Sequence, residues 1–217
     1  MTDPQPIESL AARFASCERA TRETTIRVTL GLDGLLARGP ARRIDVPDGF
    51  FAHMLDALTT HGGLAVDLVA EGDTEVDLHH TVEDVGIAFG EALREALGDH
   101  RGIVRFAHAY APLDEALARA VVDLSGRGGF VWNVPTALEQ VWVTRDFPLT
   151  LCADFFQAFA DRGRFTLHLD VLRARNGHHA AEAAFKAAAL ALRQALARRP
   201  DTGSRAEVPS TKGALDR

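Results

Sequence analysis

Two helical segments of this 217-residue chain carry one pattern at a fixed offset, and no other feature constrains the fold as tightly. Residues 79–97 read HHTVEDVGIAFGEALREAL and align without a gap on residues 178–196, HHAAEAAFKAAALALRQAL. Nine of the nineteen positions are identical: the two His, the Glu, and Ala88, Ala92, Leu93, Arg94, Ala96 and Leu97 with their partners. A run of Ala, Leu and Arg is ordinary helix composition. A His-His-x-x-Glu motif at the same helix position, each time after a helix and a strand, points instead to internal duplication.

The surrounding pattern supports two copies of one unit. TTIRVTL (24–30) reads as a strand and Asp33-Gly34 as a turn. FFAHMLDALTT (50–60) reads as a helix that stops near Gly62-Gly63, and LAVDLVA (64–70) as a strand. The second copy offers strands at 102–110, 116–124 and 128–134, a helix at 150–161, a strand at 164–172 and the long helix at 178–197. This predicts an α+β fold: a tandem duplication of a half-domain, with helices packed against two mainly antiparallel sheets. The expected division is an extension at 1–18, repeats at 19–98 and 99–199, and a tail at 200–217. The tail is rich in Pro, Gly and Ser, a composition that by itself suggests disorder.

Composition closes off several functions. Hydrophobic residues make up 47% and charged residues 25%, as in ordinary globular proteins. A net charge of −6 implies no basic face for nucleic acid. Cys17 and Cys152 are far apart and suggest no disulfide framework, so a reducing cytoplasm is expected. MTDPQPIESL has no basic segment followed by an apolar run, and no stretch is apolar enough for a membrane span.

Nine histidines need a use, and the two motifs supply it. On a helix, Glu83 shares a face with His79 or His80, as Glu182 does with His178 or His179. Adjacent histidines point about 100° apart, so each of a pair is expected to serve a different ion. His53, on the first helix, and His168, on the strand before the second motif, bring the set to six His and two Glu. That divides evenly into two sites of three His and one Glu. Imidazole with carboxylate suits Mn, Fe, Co, Ni or Zn, and the absence of thiolate argues against a structural zinc site.

Basic residues also stand in unusual settings. Arg105 interrupts the strand IVRFAHAY, Arg127 sits in the Gly-rich SGRGG, and Lys186 lies one turn beyond Glu182. Ser210 and Lys212 fall in PSTKG. Arg, Lys and hydroxyl groups are common phosphate partners, and glycines let backbone N–H groups approach an anion.

These segments together resemble the imidazoleglycerol-phosphate dehydratase family of histidine biosynthesis. The resemblance runs in order through RATRETTIRVTLGLDG, FFAHMLDALTTHGG, DLHHTVEDVGIAFGEAL, RFAHAYAPLDEAL, DLSGRGG, LHLDVLRARNGHHAAEAAFKAAALALRQAL and PSTKG. It implies a hydro-lyase that converts imidazoleglycerol phosphate to imidazole acetol phosphate with two Mn2+ ions per active site. It also implies a homo-oligomer of 24 subunits with sites formed between subunits. Metal-ligand roles fall on His53, His79, His80, Glu83, His168, His178, His179 and Glu182. Phosphate contacts fall on Arg105, Arg127, Lys186, Ser210 and Lys212, which makes the tail a binding strap. Glu23, in RET, takes an acid–base role. His61 is, apart from the resemblance, a candidate helper, and a His before Gly-Gly suits a helix end equally well. The family usually has Asp, Gln, Asp, Gly and Pro where this chain has Ala52, Ala57, Leu78, Ala107 and Gly128. FPLTLCADFF also lacks the usual Thr-Glu pair. Two other readings compete: a paralogue whose metals only cement an assembly, and a di-metal hydrolase.

Overall fold

The computed structural model describes residues 13–34, 42–199 and 207–210. Its elements repeat in one order. The first half runs β1 (Phe14–Ala20), β2 (Thr24–Gly31), β3 (Arg42–Asp45), α1 (Gly49–Gly62), β4 (Ala65–Gly72) and α2 (His79–Leu97). The second runs β5 (Phe106–Leu113), β6 (Ala116–Asp123), β7 (Gly129–Asn133), α3 (Thr150–Gly163), β8 (Thr166–Arg173) and α4 (Gly177–Leu196). The sheets have the orders β1-β2-β4-β3 and β5-β6-β8-β7. In each, two pairings are antiparallel and the last, β3 with β4 or β7 with β8, is parallel. The registers also match as far as a bulge at Leu117/Ala118 in the second sheet: Phe14 faces Gly31 as Phe106 faces Asp123, and Gly31 faces Ala65 as Asp123 faces Thr166. The duplicated α+β fold expected from the motifs is the fold observed.

The elements β1 and β3 have no counterpart in the sequence reading. Both are edge strands without a fully buried residue, so neither shows the apolar alternation that marks a half-buried strand. β5 begins at Phe106 rather than 102, because Gly102 and Arg105 both have positive φ, 67° and 78°, which breaks an extended run.

The helices form the inner layer. α2 lies on β1, β2 and β4 and packs against α3, while α4 lies on β5, β6 and β8 and packs against α1. Each half therefore lends its shorter helix to the other's longer one, which carries the motif. Phe51, Phe89, Phe155, Phe156, Phe159 and Phe185 fill this core, each essentially inaccessible to solvent. The ends of α1 are set locally. Asp48 accepts the Phe51 N–H at 2.7 Å, and Gly63, at φ 65°, closes the helix in the left-handed conformation. No described helix is long and apolar enough to cross a membrane.

Candidate metal centre

The packing of α1 on α4 brings His53 over the first turn of α4. His53 Nε2 lies 3.2 Å from Glu182 Oε2, and His178 Nε2 lies 3.3 Å from the same oxygen. Donor atoms about 2.1 Å from one ion and roughly 100° apart are themselves about 3.2 Å apart, so this trio has the spacing of a ligand set. Glu182 is only 9% exposed. Burial pushes its carboxyl pKa up, but hydrogen bonds from Lys186 and His53 outweigh that and hold it at about 2. Lys186 Nζ sits 2.5 Å from Glu182 Oε1.

A second group forms where β2 and β4 end beside α2. His80 Nδ1 lies 3.1 Å from Asp73 Oδ2 and 3.7 Å from Glu23 Oε2. The hydrogen bond to Asp73 is the main cause that raises the His80 pKa. Glu23 is exposed, but its backbone is fixed. Its N–H donates to Thr21 Oγ1 at 3.1 Å, and its carbonyl accepts the Asp73 N–H at 3.1 Å. Buried Asp84 ties α2 to the same corner by accepting from Thr24 Oγ1 and from Arg19 Nε. Among the described residues, these two trios are the groups able to surround a metal ion.

Adjacent histidines do diverge. The rings of His178 and His179 are 6.1 Å apart and nearly perpendicular, at 88°. His178 turns to His53 and Glu182, whereas His179 Nδ1 lies 2.8 Å from Glu115 Oε2. His79 and His80 are also 6.1 Å apart, and His79 Nδ1 lies 3.3 Å from Asp154 Oδ2. The two motif helices start differently. Asn176 caps α4 by accepting from the His178 and His179 N–H groups. Leu78 cannot do this for α2, and Asp77 accepts the His79 N–H at 2.7 Å in its stead.

The remaining sequence-derived residues are dispersed. Glu83 is exposed one turn after His79 on α2. His168 lies on the outer face of the second sheet, between Val121 and Val131 on the neighbouring strands. His61 lies in the last turn of α1, about 12 Å along the axis from His53. Arg105 Nε donates to Asp123 at 2.8 Å and Nη1 to the Pro209 carbonyl at 2.6 Å, so residues 207–210 fold back onto the start of β5. Ser210 is adjacent, Arg127 is exposed in its Gly-rich turn, and Lys212 lies outside the described residues.

Three carboxylates beside motif histidines escaped the sequence reading: Asp73, Asp154 and Glu115. Two were legible in the repeat. The strand registers put Glu115 where Glu23 stands, and α3 puts Asp154 where α1 has His53.

The family model for imidazoleglycerol-phosphate dehydratase matches residues 47–192. The imidazoleglycerol-phosphate dehydratase of Halorhodospira halophila is 50% identical over 206 residues, which are 95% of this chain and 100% of that protein. That of Polaromonas is 47% identical over 215 residues, 99% of this chain and 100% of its own. The crystal structure of the Staphylococcus aureus dehydratase superposes with a TM-score of 0.73 at 35% identity, covering 85% of this chain and 99% of that one. The Pyrococcus furiosus enzyme gives 0.74 at 34% identity, covering 91% and 99%. With the duplicated fold and the paired motifs, these matches establish that the chain belongs to the imidazoleglycerol-phosphate dehydratase family.

Proposed function

We propose that this chain dehydrates imidazoleglycerol phosphate to imidazole acetol phosphate in histidine biosynthesis, with two Mn2+ ions at each active site. The family identity makes the chain a hydro-lyase acting on a small phosphorylated substrate. The observation that carries the metal reading is the His53–His178–Glu182 trio, whose donor atoms already have ligand spacing. The ligand set is His53, His79, His80, Glu83, His168, His178, His179 and Glu182. Bound to such residues, a divalent ion supplies Lewis-acid stabilisation of negative charge developing on the substrate.

The reaction removes a carbon-bound proton and a neighbouring hydroxyl as water, and the resulting enol becomes the ketone. Glu23 moves the protons. It is exposed, on a fixed backbone, and beside His80. A group so placed contributes about 10²–10⁴-fold. His61 is assigned the helper's role. Arg105, Arg127, Lys186, Ser210 and Lys212 bind the phosphate and hold the reacting end still. The return of residues 207–210 to Arg105 favours this use of the tail.

The active sites are placed between subunits of a homo-oligomer, with 24 copies expected. His168 supports this, because it stands on the outer sheet face among exposed Phe106, Tyr110, Val121, Val131 and Leu172. An exposed apolar patch around a ligand suits contact with another copy. Two free cysteines suit a cytoplasmic protein.

The test is to supply Mn2+-loaded protein with imidazoleglycerol phosphate and follow imidazole acetol phosphate. Turnover is expected, and its absence overturns the proposal. Glu23→Gln should lower the rate by about 10²–10⁴-fold.

A further inference from the structure

The duplication gives Glu23 a twin. Strand register places Glu115 before β6 as Glu23 stands before β2, and Arg119 follows it as Arg27 follows Glu23. Both carboxylates approach the second histidine of their own half's motif: Glu23 approaches His80 at 3.7 Å, and Glu115 approaches His179 at 2.8 Å. Their settings differ sharply. Glu115 Oε1 accepts the N–H groups of Arg175 and Asn176, each at 3.2 Å, while Oε2 faces His179 Nδ1. Both oxygens are therefore committed. Glu23 accepts no comparable pair, because in its half Asp73 stands closer to the histidine, at 3.1 Å. Counted through the bulge at Leu117/Ala118, the second half has Arg175 at the register of Asp73, which leaves Glu115 as the close carboxylate.

From this the structure assigns Glu115 as the positioning residue of His179: it holds the hydrogen on Nδ1 and turns Nε2, bare, toward a metal ion. The inference rests on the family reading that His179 is a ligand. A histidine can offer a metal only its unprotonated nitrogen, and the hydrogen bond at the other nitrogen decides which one that is. Nε2 points to the open side, where exposed Asp114 is 3.9 Å away. Duplication thus divided one task. The second half kept a fixed carboxylate behind its ligand. The first half passed that duty to Asp73 and left Glu23 to move protons.

Glu115→Gln separates positioning from mere support of the loop. The Gln carbonyl can still accept from Arg175 and Asn176, so the loop keeps its anchor. Its NH2 then faces Nδ1, which must become an acceptor, and the hydrogen moves to Nε2. The experiment is a titration of the metal-free full chain with Mn2+, read by loss of the free-ion electron paramagnetic resonance signal. Glu115→Gln is expected to weaken binding by about 10–100-fold. Equal affinity in wild type and Glu115→Gln overturns the inference. Failure of the wild type to bind Mn2+ overturns the family reading instead. A crystal structure of the Mn2+-loaded wild type tests the same point without a variant. Ligation through Nε2 with Glu115 still on Nδ1 is expected, and ligation through Nδ1 overturns the assignment.

Discussion

The two sheets share strand order and register, yet their outer faces have opposite character. On the first sheet the outward residues include Ser16, Glu18, Thr29, Asp67 and Glu71. At the registers of the first four the second sheet has His108, Tyr110, Val121 and His168, and where Glu71 faces Thr25 it has Arg173 facing Leu117. Ser16 and Thr29 hydrogen-bond across the first sheet at 2.8 Å, a pairing suited to a solvated face. Their counterparts cannot bond in this way, and Val121 is left 41% exposed. The lesson is that a duplicated backbone fixes where side chains point and leaves their use to each half. If the second face is covered by another copy, Val121→Asp buries an unpaired charge there, at a cost of about 3–5 kcal/mol. The oligomer should dissociate, as light scattering would register. Thr29→Asp, at the matching place on the first sheet, should leave the mass unchanged. An intact Val121→Asp oligomer would show that the apolar face is not an interface.

A similar divergence sets how closely the helices approach. α2 carries Gly86 and Gly90 where α4 carries Phe185 and Ala189. A Cβ on Gly90 would lie 2.6 Å from the Phe159 carbonyl oxygen and 2.7 Å from the Gly163 nitrogen, both backbone atoms that cannot swing away. The two glycines therefore let α3 lie directly on α2, which keeps Asp154 beside His79. Phe185 spaces the other side, stacking on Phe155 at 5.5 Å and meeting Phe156 at a tilt, 4.5 Å away. Gly90→Ala should cost about 1–3 kcal/mol despite its better helix propensity, because the clash exceeds that gain. Urea unfolding gives the measurement, and a stabilised variant would show that α3 can yield.

What the sequence disclosed and what it concealed follow from this division. The motif helices were legible because the paired His-His-x-x-Glu motifs and a shared buried face put identical residues at a constant offset of 99. The fold class followed from that offset. β1 and β3 were hidden because an exposed edge strand carries no apolar period. The histidines of the site were legible by type. Asp73, Asp154 and Glu115 were not, because the contacts that define them, at 3.1, 3.3 and 2.8 Å, cross between elements. Glu115 could have been found by carrying the repeat alignment back through the strands, where Phe-Ala at 14 and 106 and Glu-x-x-x-Arg at 23 and 115 recur. The sequence also marked Arg105 as notable without showing that its φ is 78° or that the tail returns to it.

The turns after β2 and β6 give the smallest and most local contrast. Leu32-Asp33-Gly34 and Leu124-Ser125-Gly126 superpose in register, and both glycines have positive φ, 72° and 80°. Arg13 and Arg105 are likewise register partners. In the first half Arg13 reaches Asp33, with Nη2 at 2.6 Å from Oδ1. In the second half Ser125 offers no charge, and Arg105, assigned above to the phosphate, pairs with Asp123 instead. The first half thus carries its own anion at this turn, in the form of Asp33. Burial opposes ionisation of Asp33, but the hydrogen bond and charge of Arg13 outweigh it and hold the carboxyl pKa below 3.8. A depressed folded-state value stabilises the fold above the unfolded value near 3.8 and loses that contribution as pH falls through the folded value. Asp33 is half exposed, so solvent screening limits the pair to about 0.5–1 kcal/mol. Asp33→Asn should therefore lower stability by that amount at pH 7, and the gap from wild type should close as the pH drops below about 4. Chemical denaturation across that range would measure it, and a gap independent of pH would mean that the Asp33 contribution is packing rather than charge.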